Sequence, residues 1–282
     1  MEPSPVVRRR RLAQDLRNLR NDAGLTTQQV ADAVGRAQSL VSRWEAGKRT
    51  PSHGDVIALA ELFGIDRDRR DRLTGLARDA RRKGWWETYV DVLPEWHERY
   101  LGLEAEASEV NTFEPDVIPG LLQTPDYARA LTKATLLRST PEEIERRVEL
   151  RLQRQQRLSD TAPLKLWAIA GEASLYKKVG GTGVLKQQLE HLLKTAEWPN
   201  ITFQVMPLEA GAQPATGGQV TILRYSDAAD ADVVYLESQH GGVYVEDLEA
   251  VSDYALMMEH LRAHAADPAT TLELIHKRIG AL

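Results

Sequence analysis

The sequence predicts an α+β protein, with an all-α head of five helices followed by an α/β body built on a mixed sheet. Three observations carry that prediction. "RRRLAQDLRNLR", residues 9–20, sets Leu12, Leu16 and Leu19 at i, i+4 and i+7, one apolar stripe of an amphipathic helix. Beyond Ser108 short apolar and β-branched runs alternate with longer helical periods, which implies layers around one sheet. Charge divides the chain as well: residues 1–83 carry 18 Lys+Arg against 11 Asp+Glu, a balance of +7, and the remainder holds 18 against 30, a balance of −12. A basic head on an acidic body suits a polyanionic partner.

At 282 residues the chain is long for one compact domain and comfortable for two. We expect the head over 1–80, a Trp-rich connecting helix region over 81–108, and the α/β body over 109–282. No apolar run reaches the ~18 residues of a membrane-spanning helix, so no membrane partner is expected. "MEPSPVVRRRRL" has no apolar stretch behind its charges, unlike a secretory signal. With no Cys in the chain, disulfides, thiolate chemistry and Cys-based zinc sites are excluded, and the sequence reads as cytoplasmic.

The head follows element by element. "NDAGL" stops the first helix, with Gly24 suited to a left-handed cap. Thr26 caps a second helix, "TQQVADAV", whose Val30, Ala31 and Val34 face inward, and Gly35 ends it. A third helix runs from about Gln38 to Ala46, with Leu40, Val41 and Trp44 on its buried side. Gln38, Ser39, Ser42 and Arg43 then share the opposite side. Gly47 terminates that helix, Lys48 and Arg49 lie in the loop, and Pro51 prevents continuation. "HGDVIALAELFGI" closes the small core as a fourth helix. "DRDRRDRLTGLARDARRKG" follows as a charge-alternating fifth, its Arg78–Lys83 run open either to a brush with DNA or, the preferred reading, to solvent alone.

Two short helices joined by a tight turn, the second with an exposed polar side, form a helix-turn-helix. Gln and Arg can pair two-handed with adenine and guanine edges in the major groove, and loop cations suit phosphate. "GLTTQQVADAVGRAQSLVSRWEAGKRTP" resembles the Xre/Cro-type helix-turn-helix of phage repressors and bacterial regulators. That family reads Leu-Ser/Thr-Gln-x-x-Leu-Ala, a Gly, then a recognition helix ending in Trp-Glu-x-Gly and a following Pro. Leu25, Thr26, Val30, Ala31, Gly35, Ser39, Val41, Ser42, Trp44, Glu45, Gly47 and Pro51 match. The resemblance implies base reading by Gln38, Ser39, Ser42 and Arg43. It implies phosphate contacts from Thr27, Gln28, the backbone around Ala46, Lys48 and Arg49. Thr27 stands where the family usually has a phosphate-contacting Gln, and its reach is shorter. Glu45 is expected as a structural carboxylate bridging helices.

In the connecting region Trp85, Trp86, Trp96 and Tyr100 concentrate large aromatic area, as at contacts between domains or subunits. In the body, strands are expected at "VNTFEP", "LKLWAIA", "ITFQVMP", "GQVTILRY", "DVVYLES" and "GVYVE". Helices fit "TPDYARALTKATLL", "PEEIERRVELRLQRQQRLS", "EASLYKK", "GVLKQQLEHLLKTAEW", "DLEAVSDYALMMEHLRAHA" and "PATTLELIHKRI". Thr124 should cap a helix begun by Pro125. Arg147, Arg151 and Arg154 form a basic stripe at i, i+4 and i+7, expected to pair with carboxylates such as Glu145 and Glu149 or to receive an anionic ligand or acidic partner. Trp167 and Tyr176 complete the candidate ligand or partner site.

"LEAEA", "VIPGLLQTPDYARAL", "RRVELRLQRQ", "VGGTGVLKQQLEHLL", "ITFQVMPLEAGA" and "VVYLES" are similar to the C-terminal domain of a group of actinobacterial, antitoxin-like transcriptional regulators. That resemblance implies a body responsive to a small protein encoded nearby or to a small-molecule ligand. Catalysis is not expected. "VGGTG" lacks the Lys-Ser/Thr of a phosphate-binding loop, and Thr182 is better explained as a helix cap. Glu259, His260 and His264 read Glu-His-x-x-x-His, the wrong order for a zinc protease, and no nucleophile elbow is present. No metal and no cofactor are expected. The sequence thus points to a sequence-specific DNA-binding regulator, a homodimer on double-stranded DNA. The alternatives are an antitoxin-like protein that sequesters a small partner and autoregulates, and a small-molecule-responsive receptor.

Overall fold

The structure, a computed structural model, describes residues 4–282 except 216, 228 and 239, and leaves the Glu95 side chain undescribed. The chain divides into two compact units, Met1–Glu87 with Leu101–Glu106, and Thr88–Tyr100 with Ala107–Leu282. The 81–108 segment is thus shared out between them.

The first unit is all helical: α1 (Pro5–Asp22), α2 (Thr27–Ala33), α3 (Gln38–Glu45), α4 (His53–Leu62) and α5 (Arg67–Asp79), with part of α6 (Glu95–Glu106). Polar caps start α2, α4 and α5. Thr26 with Gln29, and Ser52 with Asp55, each exchange side-chain and backbone hydrogen bonds, and Asp66 caps α5. The α1 stripe Leu12, Leu16 and Leu19 closes on Val30, Ala31, Val41, Trp44, Val56, Leu59, Leu73 and Ala77. Leu40, expected inside, lies half-buried at the rim of that core.

Residues 101–106 complete this unit. Ser4 donates from its hydroxyl to the Gly102 carbonyl and from its amide to Glu106, and Arg8 pairs with Glu106. Trp86 is buried against the same segment, where a Cβ on Gly102 would run into both Val6 and the Trp86 ring.

The second unit holds a six-stranded sheet in the order β3-β2-β1-β4-β5-β6. Its strands are β1 (Glu109–Glu114), β2 (Lys165–Gly171), β3 (Ile201–Met206), β4 (Val220–Arg224), β5 (Val233–Ser238) and β6 (Gly241–Val245). β1, β2 and β3 run parallel, and β4, β5 and β6 add antiparallel beside β1. α7 (Pro125–Thr135) and α8 (Pro141–Gln155) connect β1 to β2, α9 (Thr182–Thr195) connects β2 to β3, and α10 (Leu248–His264) and α11 (Pro268–Gly280) follow β6. The mixed α+β class is as expected.

Because side chains alternate along a strand, the register separates two faces. One carries Asn111, Phe113, Trp167, Ile169, Ile222 and Val234, and α10 packs on it through Val251, Met258 and Leu261. The other carries Thr112, Glu114, Thr221, Tyr235 and Tyr244. The outer edge of β3 is closed from α11: the Val205 amide donates to the Thr271 hydroxyl, and the Ala266 amide to the Val205 carbonyl.

Two local expectations need correction. "EASLYKK" forms only a single 3-10 turn over Glu172–Leu175. Thr182 does not cap α9: Gly181, at φ 95°, is the cap, so Thr182 already lies inside the first turn. Glycine is also required by crowding at Gly102. Gly102→Ala is expected to lower stability by about 1–3 kcal/mol through overpacking, read as a lower urea midpoint for the full chain. An unchanged midpoint would show that Val6 and Trp86 yield freely.

Candidate nucleic-acid interface and the charge cluster of the second unit

α3 is oriented by its indole side. Trp44 and Val41 are each about 2% exposed, which leaves Gln38, Ser39 and Arg43 in solvent and Ser42 half-buried. Gly35 and Gly47, both near φ 65°, let the chain turn sharply into and out of the helix. Gln38 donates from Nε2 to the Thr27 hydroxyl at 3.1 Å, so two residues expected to face the same duplex are in contact. Arg43 lies back along its own helix, donating to the Ser39 carbonyl at 3.2 Å. Gln28 is exposed and bonds Asp32, one turn along α2.

A buried ion pair fixes the far end of α3. Arg20 of α1 meets Glu45 with two parallel bonds, Nε to Oε1 at 2.7 Å and Nη2 to Oε2 at 2.9 Å, and its third nitrogen donates to the Leu25 carbonyl. Its hydrogen bonds to the Glu45 carboxylate raise the Arg20 guanidinium above its ordinary value, against desolvation. Glu45 is therefore the helix-bridging carboxylate expected of it. Asp55 accepts from Arg36 at 2.8 Å; burial pushes its carboxyl up, but hydrogen bonds from Ser52 and Arg36 outweigh that and hold it below its ordinary value.

The loop after α3 corrects one expectation. The amides of Ala46, Gly47, Lys48 and Arg49 donate to the carbonyls of Ser42, Trp44, Arg43 and Arg43. The backbone around Ala46 is thus closed on itself, as a glycine-terminated helix end demands, and has no amide to offer a phosphate. The exposed side chains of Lys48 and Arg49 remain.

In the second unit, α8 clasps the loop after β1. Gln123 is buried and donates to the Ile118 carbonyl at 2.6 Å, while Arg151 donates to its Oε1. Gln155 donates to the carbonyls of Gly120 and Gln123. Gln188 of α9 bonds the Leu122 carbonyl and the Thr124 amide, and the Tyr127 hydroxyl accepts from the Ile118 amide. "PGLLQTPDYA" and "RLQRQ" are therefore two halves of one interlock.

Next to it, on the Tyr235 face of the sheet, Arg151 and Arg154 oppose Glu114, at the end of β1, and Glu237 of β5. Burial pushes the Glu114 carboxyl up to about 8, with Glu237 adding and the two Arg opposing. Burial also brings Arg151 down to about 10 and raises Glu237. Tyr100, Tyr235 and Tyr244 stack beside the cluster at 4.5 and 5.1 Å between ring centroids, and the Arg154 guanidinium lies 5.3 Å from the Tyr100 ring.

Comparison with known proteins separates the same two parts. A helix-turn-helix domain model matches residues 11–73. The model described as a domain of unknown function, DUF5753, matches residues 97–277, more than half of the chain. The chain belongs to the DUF5753 family. No curated protein and no solved structure matches it. No described helix is long and apolar enough to cross a membrane.

The DUF5753 region does not assemble its candidate residues as the sequence suggested. Trp167 lies on the α10 face, under the Arg262 guanidinium at 3.9 Å and bonded to Gln204, whereas Arg151 and Arg154 lie toward the opposite face. Tyr176 is half exposed with Arg278 at 4.6 Å over its ring. Glu145 pairs with Arg129 and Glu149 is exposed, because the inward side of α8 carries the arginines while these carboxylates project outward. Arg147 is half-buried, and burial lowers its guanidinium. Among the connecting aromatics, Trp86 is buried within the first unit and Tyr100 within the second, so neither ring is open to a second copy. Trp85 and Trp96 are half-buried.

Sequence reading missed Glu114 and Glu237, which sit far apart in the chain and meet only through strand pairing. It also missed Arg20, whose partner is decided by helix crossing. A carboxyl raised by burial stabilises the fold fully below its unfolded value and loses that contribution as pH climbs through its folded one. The melting temperature of the full chain should therefore fall between about pH 5 and pH 9 by several degrees, and Glu114→Gln should flatten that slope. An equally steep slope in Glu114→Gln would assign the titration elsewhere.

Proposed function

We propose that the protein is a sequence-specific DNA-binding transcriptional regulator without catalytic activity. The observation that carries this reading is α3: its indole side is buried, and Gln38, Ser39 and Arg43 stand exposed beside Lys48 and Arg49. Gln38, Ser39, Ser42 and Arg43 read base edges, and Thr27, Gln28, Lys48 and Arg49 meet phosphate. The Thr27 hydroxyl does double duty, accepting from Gln38 and keeping its own proton for a phosphate oxygen.

One recognition helix spans too few base pairs to discriminate against a genome of competing sites. The protein therefore acts as a homodimer on a two-fold operator with half-sites about one helical turn apart. The head is of the Xre type, and the DUF5753 region is the antitoxin-like, actinobacterial sensing body of a cytoplasmic regulator. A second reading, a receptor that binds a small molecule, is favoured by one observation. Glu114, Arg151, Arg154 and Glu237 gather beside the carboxyl end of β1, where the strand order reverses, with β2 and β3 on one side and β4 on the other. Open sheets bind ligands at such switch points.

Genome-wide mapping of bound sites would supply the operator. On it, Arg43→Ala should cost about 5- to 150-fold in specific affinity, the ~1–3 kcal/mol of one base contact, while thermal unfolding is unchanged. Lys48→Ala should weaken operator and random duplex alike. Retained operator specificity in Arg43→Ala would remove that residue from the reading set.

A further inference from the structure

The segment between α3 and α4 is gripped from both ends by guanidinium groups. Arg17 of α1 donates to the Glu45 carbonyl at 2.7 Å. Arg81, just past α5, donates to the Pro51 carbonyl. Both side chains belong to exposed residues, and each carbonyl engages only part of a five-donor fork. Between these two anchors stand Lys48 and Arg49; directly after Arg81 come Arg82 and Lys83, all exposed.

Three parts of the first unit, distant in sequence, thus bring positive charge to the loop that joins α3 to α4. Three neighbouring carboxylates have cations of their own. Glu45 holds Arg20, Asp55 holds Arg36 and the Ser52 amide, and Asp79 lies 3.4 Å from Arg78. Glu87 lies 3.0 Å from Lys83, but the lysine side chain is almost wholly exposed, where such a pair is worth little.

We propose that Arg17 and the Arg81–Lys83 run form, with Lys48 and Arg49, one continuous surface for the phosphate backbone of a duplex. This rests on the DNA-binding reading and extends it beyond the helix-turn-helix. The recognition helix reads bases, while cations on either side of the following loop hold the strand that flanks it. Anchoring Arg17 and Arg81 to backbone carbonyls orders them before any duplex arrives, which lowers the entropic cost of the contact. Each phosphate neutralised releases counterions, so the surface registers in salt dependence rather than in sequence preference.

The test needs no operator. Fluorescence anisotropy of the full chain on a random-sequence duplex of about two helical turns, over a potassium chloride series, reads the number of phosphates engaged, each adding about 0.9 to the slope of log affinity against log salt. Arg82→Gln with Lys83→Gln should flatten the slope by about two contacts, and Arg17→Gln by about one. Thermal unfolding should be lowered at most slightly in either. Arg17→Lys, which keeps the charge, should restore the slope. A full slope in the Arg82→Gln/Lys83→Gln variant beside a flattened one in Lys48→Gln overturns the extended surface and leaves the DNA-binding reading standing. No salt-dependent binding by the unsubstituted chain overturns both.

Discussion

The Arg20–Glu45 pair is the constraint on which the candidate interface depends. α3 is only eight residues long, and a helix that short has little stability of its own. Its direction is set by Trp44 pressing into the core on one side and by Glu45 held two-handed by α1 at the end. Neither charge of the pair is open to solvent to any great degree, and breaking such a pair leaves a buried charge without a counterion. The pair therefore acts as an angle-setting device, keeping the exposed residues of α3 pointed as one group. Arg17, one turn earlier on α1, reaches the carbonyl of that same Glu45. One helix thus steers another by two arginines on a single residue.

Most of the head was legible because its information is local. Glycines at helix ends, Thr26 as a cap, and the spacing of Leu12, Leu16 and Leu19 each act within a few residues, and the structure keeps them. The exposure of Gln38, Ser39 and Arg43 followed from Trp44 being buried, a matter of helical phase alone. What could not be read was the closure of the amides of residues 46–49, a hydrogen-bonding detail of one turn. Nor could the reach of Arg81 back to Pro51 be seen, since it depends on α5 packing against α4.

The body was legible as a class and in its strands, much less in its site. Alternation of apolar runs located all six strands, yet alternation does not say which strands are neighbours. Glu114 and Glu237 belong together only because β4 lies between β1 and β5. Arg151 looked like half of a surface ion pair with a carboxylate on its own helix. Instead it turns inward to Gln123, and burial rather than a nearby carboxylate governs its charge. Helix periodicity shows that the arginines share a side; it cannot show which side faces the sheet.

The place of β1 has a consequence for how the chain is made. Val110 pairs with Leu166 on one flank and with Leu223 on the other, so the central strand of the sheet waits for partners of very different sequence separation. During synthesis β1, β2 and β3 can assemble early as a parallel half-sheet, and its inner edge stays open until β4 emerges. Contacts that far apart close slowly, and an open strand edge invites mispairing in the meantime. The newborn protein thus passes through an interval in which a central strand of its sheet is an adhesive open edge, and holdase chaperones have the most to protect there.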